Sequence, residues 1–95
     1  MRAIAKRAIV RFAQQHPGAK SALEQWYQTV SQAMWKSLVE TRQVYPSADP
    51  LGRRTVFNIK GNSYRLIARV NYRTQRVFVL HILTRADYDK GDWKQ

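Results

Sequence analysis

The C-terminal half of the sequence carries an arginine- and lysine-rich strand surface with nearby aromatic residues, Lys60, Arg65, Arg85 and Tyr88 among them and His81 between the two arginines, and side chains of these types can act on a phosphate. Guanidinium forks match the non-bridging oxygens of a phosphodiester, and lysine, tyrosine or histidine can move protons once their surroundings tune them. One reaction suits such a set. RNA carries its own nucleophile, the 2′-hydroxyl, beside the scissile phosphate. A protein then needs only to hold the backbone in line, neutralise the developing phosphorane charge and move two protons. The products would be a 2′,3′-cyclic phosphate and a 5′-hydroxyl.

Each of these residues also has a structural reading. Arg65 could be a solvated strand residue, and Arg85 could cap the sheet end or pair with Asp87 or Asp89. Tyr88 could anchor the tail in the core rather than donate a proton or stack on a base. Lys60 could be a plain turn residue, and His81 a hydrogen-bonded core histidine. Arg69, Arg73 and Lys90 extend the positive field and are candidate RNA contacts. Trp26, Tyr27 and Trp35 fall at helical spacing and read as core. Lys6, Arg7 and Arg11 form a basic helix face, either solvated or set against RNA.

Charge supports a polyanionic partner. Seventeen lysines and arginines against six acids give a formal net charge of +11 on 95 residues. Such a chain repels itself, and nucleic acid is the default ligand that offsets the repulsion. The absence of cysteine excludes disulfides, thiolate zinc sites and a cysteine nucleophile. The acids Glu24, Glu40, Asp49, Asp87, Asp89 and Asp92 offer no convincing pair on a core strand for a two-metal nuclease, and His16 and His81 have no ligand spacing. Gly61 stands alone in a turn, so no glycine-rich phosphate loop exists, and no nucleophile elbow is present. The expectation is therefore a reaction with no cofactor and no metal. No apolar stretch approaches the ~20 residues of a membrane span. The start, Met1-Arg2-Ala3-Ile4-Ala5-Lys6-Arg7, lacks the apolar core of a signal peptide, which points to the cytoplasm.

The elements that must position these residues follow from periodicity. Ala5, Ala8, Ile9, Phe12 and Ala13 form one helical stripe between Arg2 and His16, which a short strand at Arg2–Ile4 could precede. His16-Pro17-Gly18 ends it. Leu23, Trp26, Tyr27, Val30, Ala33 and Met34 predict a second helix from about Ala19 to Trp35, closing a helical hairpin. Residues 36–53 read as a loop with a helical turn near Leu38–Gln43. Period two then takes over: Thr55–Ile59, the turn Lys60–Ser63, the strand Tyr64–Tyr72, the turn Arg73–Gln75 and the strand Arg76–Thr84. In the Tyr64 strand, Arg65, Ile67, Arg69 and Asn71 share one face. In the next strand His81 shares an alternation with Val77, Val79, Leu83 and Arg85. Residues 85–95 make a polar tail. The order predicts one α+β domain spanning residues 1–95, with the helical hairpin on one face of a small antiparallel sheet. The other face is expected to stay open and collect the strand arginines around one phosphate.

The runs Phe57-Asn58-Ile59-Lys60-Gly61-Asn62-Ser63-Tyr64-Arg65-Leu66-Ile67, Val70-Asn71-Tyr72-Arg73 and Thr84-Arg85-Ala86-Asp87-Tyr88-Asp89-Lys90 resemble those of HigB-type toxins, within the RelE-like superfamily of toxin–antitoxin modules. Trp26-Tyr27 and Trp35-Lys36-Ser37 extend the resemblance over nearly the whole chain. It implies a RelE-like fold, cleavage of mRNA on the translating ribosome, and neutralisation by a HigA-type helix-turn-helix antitoxin through which operator DNA is reached. HigB-type toxins commonly carry histidine after the threonine of the last run, where this chain has Arg85. In that place the chain is more similar to the RelE branch, with arginine and a following tyrosine. The resemblance then implies an arginine-type site in which phosphate stabilisation dominates. A non-catalytic RNA- or ribosome-binding module, and a degenerate toxin that only binds its antitoxin, remain the alternatives.

Overall fold

Ile9 and Phe12 recur at helical spacing, and in the computed structural model, which describes residues 1–94, both lie on the inner side of helix α1 (Lys6–Gln15). A 3-10 turn at Pro17–Ala19 reverses the chain, and α2 (Lys20–Gln32) returns alongside, burying Leu23, Trp26 and Val30. The spacing extends α2 to Trp35, but Ala33 is already extended (ψ 154°). Met34 is therefore exposed, while Trp35 is buried from a non-helical stretch. The expected helical turn in the following loop is a full helix, α3 (Leu38–Val44). Ser37 Oγ accepts from the Glu40 N–H at 3.4 Å, and Glu40 Oε1 accepts from the Lys36 N–H at 3.2 Å. Serine followed three residues later by glutamate is a helix-start signal of this kind.

Five strands form one sheet in the order β1-β5-β4-β3-β2. The expected meander, β3 (Arg54–Ile59), β4 (Tyr64–Asn71) and β5 (Arg76–Thr84), is antiparallel throughout. Two short edge strands extend it. β1 (Arg2–Ile4) joins β5 in parallel, which makes the sheet mixed, and β2 (Asp49–Leu51) pairs with β3. β2 contains Pro50, tolerated because an edge strand leaves one row of N–H groups unused.

Phe57, Ile59, Leu66, Ala68 and Val77 pack against Leu23, Trp26 and Val30, so the helices do cover one face of the sheet, in an α+β arrangement. The opposite face is not left open as expected. Val56 and Ile67 are covered there by Trp93, with Tyr88 and Leu83 against them. The tail that reads as polar folds into α4 (Arg85–Lys90) and a 3-10 turn at Asp92–Lys94. One large aromatic ring gives it enough apolar area to dock. Arg69, farther along β4, stays exposed.

A register shift also redraws β5. Ala68 pairs with Val79, but the neighbouring Ile67 pairs with His81, so Leu80 is an extra residue in the strand. Directly opposed residues in an antiparallel pair share a face. Val77 and Val79 thus lie on the helix side, whereas His81 and Leu83 lie on the tail side with Ile67 and Arg65. The single alternation expected from Val77 to Arg85 is broken at the bulge.

Candidate active site

The turn between β3 and β4 sits at one end of the sheet. Lys60 and Gly61 both take left-handed backbone angles, φ 53° and 63°, and the Ser63 N–H closes on the Lys60 carbonyl at 3.2 Å. Glycine adopts that conformation freely; lysine does so at a cost of about 1 kcal/mol. The other non-glycine residue of this kind, Gln75 (φ 59°), is held by its own amide, which donates to the Trp35 and Tyr72 carbonyls at 2.7 and 2.8 Å. Among the described residues the Lys60 ammonium has no such partner. It lies 3.3 Å from the point where a Cβ would stand on Gly18, and the Tyr64 hydroxyl lies 3.8 Å from the same point.

Arg65, next along β4, points to the other face and is half-buried. It donates to the carbonyls of Asn62 and Tyr64, at 3.2 Å each, so it curls back toward the turn. Its guanidinium carbon lies 5.6 Å over the Tyr88 ring. Tyr88 in turn stacks on Trp93, with centroids 5.0 Å apart and planes at 14°, and the Trp93 indole N–H donates to the Tyr88 carbonyl at 2.8 Å.

Arg85 is the first residue of α4, behind a Thr84 cap whose hydroxyl accepts from the Asp87 N–H at 3.1 Å. Its own N–H donates to the Ser63 carbonyl at 3.1 Å, which ties the start of α4 to the β3–β4 turn. The side chain is exposed, and neither Asp87 nor Asp89 pairs with it; Asp87 meets Lys90 at 3.6 Å on the surface. A cation at a helix start opposes the helix dipole. Nothing in the packing of Arg85 explains its charge.

The fold therefore gathers Lys60, Arg65, Arg85 and Tyr88 at one end of the sheet. They form a rim rather than a cluster across an open face, because the tail covers the face beside Arg65. His81 is set back from that rim, opposite Ile67, in a cleft of about 370 Å³ with Leu83, Asp87, Lys90, Asp92 and Trp93. Lys90 is engaged with Asp87. Arg69 pairs across to Phe78 and Arg73 lies in the β4–β5 turn at the opposite end, on the order of 20 Å away along the strand at ~3.3 Å per residue. These three do not join the rim.

The α1–α2 turn adds a histidine the sequence reading weighed only as a metal ligand. His16 stacks on Phe12 at 4.4 Å and presents its ring to the edge of Tyr64 at 6.0 Å. No local pattern announces this, since the contact joins residues 48 positions apart in the chain. On the helix side of Lys60, a cleft of about 360 Å³ is lined by Gln25, Thr29, Tyr45, Asn58 and Lys60. Burial pushes the Tyr45 phenol above its usual 10.0, opposed in part by a hydrogen bond with Thr29. Among the described residues no group of three or more His, Cys, Asp or Glu side chains is placed to hold a metal ion, and no helix is long and apolar enough to cross a membrane.

Residues 19–91 match the family model HigB_toxin, described as the RelE-like toxic component of a toxin–antitoxin system. Among curated proteins, the chain is 31% identical over 93 residues to the mRNA interferase HigB of Escherichia coli O6:H1, covering 95% of this chain and 90% of that protein. It is 28% identical over 92 residues to the mRNA interferase toxin HigB of Escherichia coli K12, covering 94% and 88%. The mRNA interferase HigB of Shigella flexneri is similar to the same degree and extent.

Proposed function

This chain belongs to the HigB family of RelE-like toxins of toxin–antitoxin systems, and from that premise we propose that it is an endoribonuclease cutting mRNA on the translating ribosome, without a metal, by attack of the RNA's own 2′-hydroxyl. The observation that carries this reading is the rim itself. Lys60 from a turn, Arg65 from β4, and Arg85 and Tyr88 from α4 meet at one end of the sheet although up to 28 positions separate them.

A backbone phosphate seated on this rim meets two guanidinium groups and an ammonium. Arg65 and Arg85 hold the non-bridging oxygens and stabilise the negative charge that builds as phosphorus becomes five-coordinate. Lys60 stands at the turn apex, without an ion-pair partner among the described residues, where it can protonate the departing 5′-oxygen. Tyr88 holds the Arg65 guanidinium from beneath through a cation–π contact. The tail thus preorganises the phosphate clamp. The ribosome contributes substrate shape, with Arg69, Arg73 and the basic face of α1 as added contacts to RNA. The antitoxin partner is a HigA-type helix-turn-helix protein, which brings the complex to its operator DNA, and the toxin acts in the cytoplasm.

The test is induction of the wild-type chain beside Arg65→Ala and Arg85→Ala, with growth followed and mRNA ends mapped. The expected result is growth arrest and 5′-hydroxyl ends with wild type, and loss of both in the two variants. Equal arrest in all three would remove the site assignment. Salt-dependent ribosome binding without new mRNA ends would reduce the chain to a binding module.

A further inference from the structure

Lys60, Arg65, Arg85 and Tyr88 have one property in common. An ordinary lysine, arginine or tyrosine side chain carries its proton at neutral pH. This set can donate protons and stabilise negative charge, yet the 2′-hydroxyl must also lose a proton. A group that accepts one near neutrality is missing from it, and histidine is the side chain suited to that task. His16 is the histidine at this end of the fold. Its ring is half-buried, held flat against Phe12 at 4.4 Å and set against the edge of Tyr64 at 6.0 Å. Tyr64 precedes Arg65 on β4 and points to the opposite, helix-side face, and Gly18, two residues after His16, is the point over which the Lys60 ammonium lies. Among the described residues neither His16 ring nitrogen has a hydrogen-bond partner in the protein.

We infer that His16 is the general base of this RNA site, supplied by the helical hairpin rather than by the strands; the inference rests on the nuclease reading above. Its neutral imidazole takes the 2′-hydroxyl proton. The 2′-oxygen uses the released electron pair to bond phosphorus, and the phosphorus–5′-oxygen bond breaks with its pair on the 5′-oxygen. That oxygen takes a proton from the Lys60 ammonium. The imidazolium then returns its proton to water, and Lys60 regains one. The titratable groups that face this corner are the Tyr64 hydroxyl from β4 and the Lys60 ammonium from the turn, while α1 contributes Phe12, which does not titrate. His81, the other histidine, is set back on the opposite face beside Trp93.

The experiment is single-turnover cleavage of mRNA on programmed ribosomes by the full chain between pH 5.5 and 8.5, for wild type, His16→Gln and His81→Gln. The wild-type rate should rise with pH over this interval. His16→Gln should lower the rate constant on the order of 100-fold or more, leave the half-saturating ribosome concentration within about 3-fold, and flatten the rise. A His16→Gln variant that keeps the wild-type rate, or loses rate but keeps the same rise, overturns the inference. So does loss of the rise in His81→Gln instead. If His16→Gln does not fold, added imidazole should restore cleavage to His16→Ala, and failure to do so counts against the inference. Cleavage by wild type that His16→Gln matches refutes only the base assignment, whereas a wild type that yields no product removes the nuclease reading and this inference with it.

Discussion

The Arg65 guanidinium lies 5.6 Å over the Tyr88 ring, and Tyr88 is stacked on Trp93 at 5.0 Å. The order of those contacts matters. Trp93 is anchored on Ile67 and Val56, Tyr88 rests on Trp93, and the arginine rests on Tyr88. A polar-looking tail thereby becomes the support that fixes the direction of a charged group on β4.

If Tyr88 serves as that support, its ring matters and its hydroxyl does not. Tyr88→Phe keeps the cation–π surface and should cleave within about 3-fold of wild type. Tyr88→Ala frees the guanidinium, and a contact of ~1–2 kcal/mol corresponds to a loss of roughly 10-fold. Single-turnover rates on programmed ribosomes decide it. A Tyr88→Phe variant as slow as Tyr88→Ala would make the phenol a proton donor instead.

Arg85 should separate activity from stability. Its charge stands at the wrong end of a helix dipole and has no ion-pair partner among the described residues, so Arg85→Ala should leave the protein as stable as before or more stable by up to ~1 kcal/mol. Cleavage should nevertheless fall by at least about 100-fold. Arg65→Lys should fail to restore what Arg65→Ala loses, since an ammonium lacks the planar fork that lies on Tyr88 and bridges two oxygens. Thermal denaturation and end mapping on the same preparations test both statements. A destabilised but active Arg85→Ala would make the residue structural.

Trp93 should show the opposite coupling. It is 6% exposed and caps the second apolar cluster, so Trp93→Ala should cost about 3–5 kcal/mol and take activity with it. Trp93→Phe should recover part of each, because a smaller ring can still cover Ile67 and carry Tyr88. Stability restored without activity would mean that the stack is not what orients Arg65.

Much of this arrangement is legible in the residues, and the exceptions share a cause. The helical stripes of α1 and α2 and the period-two strands show directly in local spacing, whereas the set Lys60, Arg65, Arg85 and Tyr88 comes from the resemblance of the runs that hold them. The edge strand Arg2–Ile4 is foreseen, though its parallel pairing with β5 is not; Asp49–Leu51 is not foreseen, because a three-residue strand draws its stability from a neighbour distant in sequence. The bulge at Leu80 is equally silent, and it moves His81 to the face opposite the one its alternation implies. Trp93 lies in a run of charged and polar residues, so its burial under a polar surface is invisible to any pattern count. His16 comes against Tyr64 through packing of the α1–α2 turn on β4, a contact that no spacing records.

The half-buried phenol of Tyr45 makes a prediction on the alkaline side. Its ring packs edge-on against Trp35 and Phe57, with centroids 6.1 and 5.5 Å away, and burial disfavours the phenolate, so its pKa in the folded chain exceeds the usual 10.0. The unfolded chain exposes the same group near pH 10. Below that pH both states hold the proton and the stabilisation is fully present. As pH rises past 10, the unfolded state loses its proton first, and stability drains away until the pH passes the folded value. Tyr45→Phe removes the titration. It should then lose less than wild type between pH 10 and 11.5. Other tyrosines and the lysines titrate in both proteins, so the difference between the two denaturation series isolates position 45. Parallel losses in the two would mean that Tyr45 is as solvated in the folded state as in the unfolded one.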